Sequence, residues 1–89
     1  MGYRWPKPKF YTKYPSGEKY TVAEMTESRE ESIAKIEESL ETASRFRVPM
    51  LQLNAKIYRE EIARWQTLDP NAPAPVYYFD IYKEMTYRS

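Results

Sequence analysis

The apolar positions in the middle of the chain repeat with the period of an α-helix. Between residues 22 and 46 the sequence contains neither glycine nor proline, and Ile33, Ile36, Leu40 and Ala43 follow one another at alternating steps of three and four. Residues with that spacing lie on one side of a helix. The pattern predicts a first amphipathic helix over about residues 22–46, with one narrow apolar stripe and an otherwise solvated surface.

A capping signal marks the start of this helix. Thr21 is followed three residues later by Glu24, so the threonine oxygen can accept from the Glu24 backbone N–H while the glutamate reaches back to the Thr21 N–H. With Thr21 as the cap, Tyr20 and Met25 occupy the two positions of a hydrophobic staple. The first helical residue is therefore predicted to be Val22.

A second helix is predicted over about residues 50–67, and it carries the broader apolar face. Leu51, Tyr58, Ile62 and Trp65 fall on one side of it at helical spacing. Pro49 suits the first turn of this helix but disfavours helical geometry in the residue before it. The two helices therefore form either a hairpin or a single helix kinked at Pro49.

Two segments without helical periodicity flank the helices. Residues 1–20 form a basic, aromatic arm, and residues 69–89 combine a proline-rich linker with a second aromatic arm. Proline favours extended backbone, so both arms are predicted to be extended, although residues 79–85 could form one helical turn. The predicted fold class is mainly α, with a two-helix segment at 21–68 between the arms.

The composition removes most catalytic chemistry. The 89 residues include neither cysteine nor histidine, which excludes disulfides, thiolate or imidazole metal ligands, and nucleophiles activated by histidine. The length allows one small core and no second domain. The sequence therefore predicts a protein that is not an enzyme, with no catalytic residues, no cofactor and no bound metal.

Charge is segregated along the chain although the net charge is only +1. Residues 1–20 carry five basic side chains against one acidic, and residues 21–43 carry two basic against seven acidic. The arm interleaves basic and aromatic residues, as surfaces that stack single-stranded nucleic acid do. A protein partner is the favoured interpretation, because the acidic helix that follows would repel a phosphate backbone.

The aromatic residues of the arms predict that the arms order against a surface. Disordered segments contain few aromatic residues, and tyrosine gives amphipathic contact area to interfaces. The predicted partner contacts combine both arms with the apolar face of the second helix. They are Tyr3, Arg4, Trp5, Lys7, Lys9, Phe10, Tyr11, Tyr14, Leu51, Tyr58, Ile62, Trp65, Tyr77, Tyr78, Phe79 and Tyr82.

The layout, a short chain with a helical middle and extended arms, resembles the accessory subunits of large mitochondrial assemblies such as respiratory complexes, ATP synthase or the mitochondrial ribosome. It is similar as well to small proteins bound inside the microtubules of cilia. The resemblance implies a non-catalytic subunit that staples neighbouring protein subunits together and does not work as a free monomer. The favoured assembly is a mitochondrial respiratory complex or ATP synthase. Alternatives are a microtubule-associated protein and a ribosomal or other nucleic-acid-binding protein.

The sequence also predicts an intracellular protein, with mitochondria favoured and an axonemal or other cytoplasmic site as the alternative. No stretch approaches the roughly 20 apolar residues that span a bilayer, so no transmembrane segment is expected. The N-terminus lacks the apolar run of a signal peptide. Pro6, Pro8 and Pro15 would interrupt the amphipathic helix of a cleavable mitochondrial presequence, so none is expected.

Overall fold

The computed structural model describes residues 9–87, and their backbone is mainly helical. Helix α1 spans Val22–Leu40, α2 spans Val48–Trp65 and α3 spans Tyr78–Thr86. The prediction of a mainly α chain is confirmed. In the part of the chain that the structure describes, no helix combines the length and the apolar character needed to cross a membrane.

Helix α1 begins where the capping signal predicts. The Thr21 side-chain oxygen accepts from the Glu24 backbone N–H at 3.1 Å, and the Glu24 carboxylate accepts from the Thr21 backbone N–H at 3.1 Å. Two N–H groups at the helix start, which have no partner inside the helix, are thereby satisfied. Met25 is buried and Tyr20 packs against the same core cluster.

The predicted end of the first helix, near residue 46, is wrong. Helix α1 ends at Leu40, where the backbone hydrogen bonds of the last turn tighten to a three-residue spacing. Thr42 and Ser44 follow, and their side chains favour turns over helix interiors. Ala43 therefore lies in the connection instead of on the helical stripe.

Helices α1 and α2 form an antiparallel hairpin, which decides between the two predicted arrangements. Arg29 pairs with Glu61 and Glu37 pairs with Arg59, so residue numbers rise along α1 as they fall along α2. Pro49 lies in the first turn of α2, where its missing N–H leaves no hydrogen bond unmade. The chain turns between the helices and is not a single kinked helix.

The prediction of an extended C-terminal arm is wrong for its second half. Residues 78–86 form α3, which buries Ile81 and places Asp80 in its first turn and Lys83 in its last. Those charges complement the helix dipole. The extended backbone is confined to the proline-rich stretch that precedes α3.

The described part of the N-terminal arm pairs with that proline-rich stretch. The Tyr11 N–H donates to the Ala74 carbonyl at 3.1 Å, the Ala74 N–H donates to Tyr20 at 2.9 Å, and the Tyr20 N–H donates to Tyr11 at 2.9 Å. The arm reverses between these residues in a turn where Gly17 has a φ of +80°, a conformation that suits glycine. The arm thus orders against its own chain.

The main core lies where the arm, the start of α1, the end of α2 and the proline-rich stretch meet. Trp65 is fully buried there, and its indole N–H donates to the Pro75 carbonyl at 2.9 Å. Proline cannot return an N–H to a sheet partner, but its carbonyl accepts from the indole. The other buried residues of this cluster are Val22, Met25 and Ala74, with Tyr11, Tyr20, Ile62, Leu68 and Tyr77 packed against them.

Removal of the helix cap tests this account of α1. Thr21→Ala deletes the oxygen that accepts from the Glu24 N–H, and we expect the free energy of unfolding to fall by about 1 kcal/mol. Urea denaturation followed by circular dichroism measures the change. The exposed, mid-helix Ser28 gives the matched control, since Ser28→Ala removes the same hydroxyl without a capping role. Equal effects of the two substitutions would contradict the capping role.

Candidate functional site

Glu61 is a fully buried carboxylate in the middle of the molecule. Its Oε2 accepts from the Tyr11 hydroxyl at 2.7 Å and from the Tyr77 backbone N–H at 3.2 Å, and its Oε1 accepts from Arg29 Nε at 3.1 Å. These donors come from the N-terminal arm, from α1 and from the residue before α3. The Glu61 cluster, defined by these four residues, joins four segments of the chain.

Aromatic rings hold the Arg29 guanidinium in place. Its central carbon lies 4.9 Å from the centre of the Tyr11 ring and 4.5 Å from that of Tyr58, within the range of a cation–π interaction. Across the described residues, every buried side-chain nitrogen or oxygen has a hydrogen-bond partner. The buried polar atoms of the cluster therefore bind one another, and Glu61 is held by donors from its own chain.

The Tyr11 hydroxyl is the group in this cluster whose acidity changes most clearly. Burial, and next the hydrogen bond to the Glu61 carboxylate, raise the pKa of Tyr11 well above its ordinary value. Burial disfavours the phenolate, and a neighbouring negative charge opposes it further. Tyr11 therefore stays protonated, as the donor, over the whole neutral range.

An aromatic layer joins α3 to α2. The Tyr78 hydroxyl donates to Asn54 Oδ1 at 2.9 Å, and the Tyr78 ring lies 6.0 Å from that of Tyr58. On its other side Tyr78 stacks on Tyr82 with ring centres 6.5 Å apart, and Phe79 meets it edge-on at 5.6 Å. Tyr82 and Phe79 keep 42% and 46% of their surface exposed. The outer side of this layer faces solvent.

The structure divides the sixteen predicted partner contacts into four groups. Tyr3, Arg4, Trp5 and Lys7 lie outside the described residues. Trp65 is fully buried and leaves no surface for a partner. The half-buried group is Phe10, Tyr11, Leu51, Tyr58, Ile62, Tyr77 and Tyr78, and the exposed group is Lys9, Tyr14, Phe79 and Tyr82.

Sequence reasoning missed two features. Glu61 falls on the apolar side of α2, three residues after Tyr58 and four before Trp65, and a carboxylate in that position signals a buried ion pair. Phe46 and Met50 are exposed apolar residues at the connection between α1 and α2. The sequence signal for the exposure of Phe46 was its position outside the apolar stripe of the predicted first helix.

A cleft of about 610 Å³ lies between α2 and α3. Basic and acidic side chains alternate on its walls, among them Lys56, Lys83, Glu60 and Glu84. Residues 9–87 contain no group of three or more carboxylates placed to hold a metal ion. The cleft offers mixed charges and no convergent set of reactive groups.

Neutralising Glu61 tests the cluster. Glu61→Gln keeps the side-chain size but leaves Arg29 without its buried counter-charge, so we expect the free energy of unfolding to fall by about 3 kcal/mol. Urea denaturation at neutral pH measures it. The neighbouring, exposed Glu60 supplies the control, and Glu60→Gln should change stability by less than about 0.5 kcal/mol. Similar losses in both variants would show that Glu61 has no special role.

Alkaline pH tests the protonation of Tyr11. In the unfolded chain Tyr11 ionises near pH 10, whereas the folded protein keeps its proton at that pH. The folded state then binds more protons than the unfolded state. The stability that Tyr11 contributes is therefore fully present below about pH 10 and is lost as the pH rises further. Tyr11→Phe cannot ionise, and we expect a shallower loss of stability for this variant. Urea midpoints at about pH 8 and about pH 11 measure the two slopes, and equal slopes would contradict the assignment.

Comparison with protein-family models, with curated proteins and with solved structures finds no match to this chain. The features that bear on function are therefore those of the chain itself. Glu61 is fully buried and held by its own chain, whereas Phe79 and Tyr82 on α3 and Phe46 and Met50 near the start of α2 face outward.

Proposed function

We propose that this protein is a non-catalytic accessory subunit that holds neighbouring subunits of a larger protein assembly together. The observation that carries the proposal is the outward aromatic side of α3, formed by Phe79 and Tyr82. Both side chains are large and substantially exposed on an ordered helix. Aromatic residues are enriched at the buried centres of protein interfaces and often supply much of their binding energy.

Contacts within the chain hold this aromatic surface ready for a partner. Tyr78 is hydrogen-bonded to Asn54, Ile81 is buried, and Glu84 accepts from Arg64 at 3.0 Å. Because the backbone of α3 is already ordered, binding of a partner to this surface costs little backbone entropy. Phe79 and Tyr82 each have only two side-chain torsions to fix, so the entropic cost of their burial is small.

The binding role is now supported by the exposed aromatic residues of α3 and no longer by the arms. The described arm residues Tyr11 and Tyr20 pack against the core of their own chain. Neighbouring subunits were expected to complete the fold because the arms were predicted to have no surface within the chain to pack against. The exposed aromatic residues of α3 supply the support that remains, and the chain can fold before it assembles.

The cellular setting that we propose is a mitochondrial respiratory complex or ATP synthase, supported by the short, mainly helical chain, which is the part of the predicted layout that remains. A nucleic-acid partner receives less support from the described arm. Lys13 forms an ion pair with Glu24 at 3.1 Å, and Lys19 lies 4.8 Å from the centre of the Phe10 ring. Both lysines already have partners within the chain.

Affinity purification of the tagged full chain from cells that naturally produce it tests the proposal. We expect it to sediment with a defined assembly much larger than the chain, and Phe79→Ala with Tyr82→Ala to reduce incorporation at least roughly tenfold, since two interface aromatics contribute more than 1.4 kcal/mol. Tyr14 was among the predicted partner contacts, but it lies in the arm and outside the α3 surface, so this 98% exposed residue is the matched aromatic control. Tyr14→Ala should leave incorporation unchanged.

Two results would overturn this proposal. One is a folded wild-type chain that sediments alone in both mitochondrial and axonemal extracts. The other is an assembly that incorporates the double variant as well as it incorporates Tyr14→Ala. The identity of the co-sedimenting subunits separates a mitochondrial setting from a microtubular or ribosomal one.

A further inference from the structure

The connection between α1 and α2 and the first turn of α2 each expose one apolar side chain, on the same side of the hairpin end. Phe46 is 87% exposed and Met50 is 69% exposed. The Leu51 N–H donates to the Arg47 carbonyl at 3.0 Å and Arg47 has helical backbone angles, so the turn continues directly into α2. Residues four apart in such a turn lie on the same side. Phe46 and Met50 therefore project together from the end of the hairpin.

Two exposed arginines flank Phe46. Arg45 and Arg47 form no ion pair with any of the described residues. No aspartate or glutamate occurs between residues 42 and 59. The other arginines of the described chain each have a carboxylate partner: Arg29, Arg59 and Arg64. The two described arginines without a carboxylate partner thus flank the exposed Phe46.

We infer that this basic tip, formed by Arg45, Phe46, Arg47 and Met50, docks on membrane surfaces that contain anionic phospholipid. The guanidinium groups match the phosphate oxygens of lipid headgroups, to which arginine donates two parallel hydrogen bonds. Phe46 and Met50 enter the boundary between headgroups and acyl chains, as apolar residues of interfacial segments do. The inference goes beyond the proposed subunit role and uses none of its residues.

The apolar residues favour lipid over the other anionic partners. A single-stranded nucleic acid would stack a base on Phe46, but Met50 has no planar surface for the next base. A protein would need a concave, acidic-rimmed pocket shaped to a convex hairpin end. A lipid surface is fluid and accepts a convex tip without a preformed pocket.

Nearby acidic residues limit the strength of this contact. Glu37 is paired with Arg59 at 2.7 Å, but Glu38 and Glu41 are exposed at the end of α1. Two apolar side chains and two arginines give a weaker anchor than a single acyl chain, whose binding is itself reversible. We therefore expect weak, reversible binding that depends on the anionic lipid fraction and decreases as salt rises.

Flotation of the purified full chain with vesicles tests the inference. We expect binding to phosphatidylcholine vesicles that contain phosphatidylglycerol and much weaker binding to phosphatidylcholine alone. The Arg45→Gln, Arg47→Gln double variant should reduce the partition coefficient onto these vesicles roughly thirtyfold, because each basic residue near an anionic surface adds to the attraction. The Phe46→Ala, Met50→Ala double variant should reduce it similarly. Phe46→Trp should retain binding, with a blue shift of its fluorescence on anionic vesicles.

Two exposed residues away from the tip provide controls of matched chemistry. Tyr14→Ala removes an exposed aromatic ring, and Lys35→Gln removes an exposed positive charge from α1. Both should bind vesicles like the wild-type chain, and circular dichroism should show the same helicity for all variants. No binding to anionic vesicles, or tip variants that bind as well as these controls, would overturn the inference.

A nucleic-acid role for the tip has a separate signature. Binding of a single-stranded oligonucleotide that requires Arg45 and Arg47, in the absence of vesicle binding, would overturn the inference in favour of that role. None of these results bears on the subunit proposal, which is tested through Phe79 and Tyr82. Loss of assembly with vesicle binding intact, and the reverse, are therefore distinguishable.

Discussion

The burial of one carboxylate constrains the whole molecule. Glu61 is removed from water, and an ion in that position is tolerated only when its oxygens are paired and hydrogen-bonded. The donors come from Tyr11 in the arm, Arg29 on α1 and the Tyr77 backbone. If any of these segments moved away, Glu61 or Arg29 would lose its partner in a poorly hydrated site. The cluster therefore makes the positions of four segments depend on one another.

This dependence explains how so short a chain completes a core. A two-helix hairpin buries little apolar surface, and the described residues bury few large apolar side chains beyond Trp65, Ile57 and Ile81. The arm and the proline-rich stretch add a third layer over α1 and α2, fixed by the Trp65 bond to the Pro75 carbonyl and by the Glu61 cluster. The arms are thus structural parts of the domain as well as its boundaries.

Local signals in the sequence were sufficient for the start of α1 and for α2, but not for the end of α1, for α3 or for the tertiary contacts. The Thr21 capping box places the start of α1, because both of its partners lie within three residues. The pairing of Tyr11 with Ala74 joins residues more than sixty positions apart, and no local pattern encodes it. The end of α1 was misplaced because the signals before Pro49, Thr42 and Ser44, disfavour a helix interior only weakly. Glu61 was the readable clue to the buried cluster, since a charge on an apolar stripe requires a partner.

The burial of Glu61 also constrains one of the two outward surfaces. Tyr77 binds the Glu61 carboxylate through its backbone, and the next residue begins α3, so the cluster fixes where that helix starts and which way Phe79 and Tyr82 face. The hairpin end is different, because Met50 lies about three turns before Glu61 along α2, Phe46 precedes that helix, and neither takes part in the cluster. The surface formed by Phe79 and Tyr82 is therefore coupled to the core, whereas Phe46 and Met50 lie at the far end of the hairpin. A rigid body with two surfaces so arranged can bind at one without a change at the other.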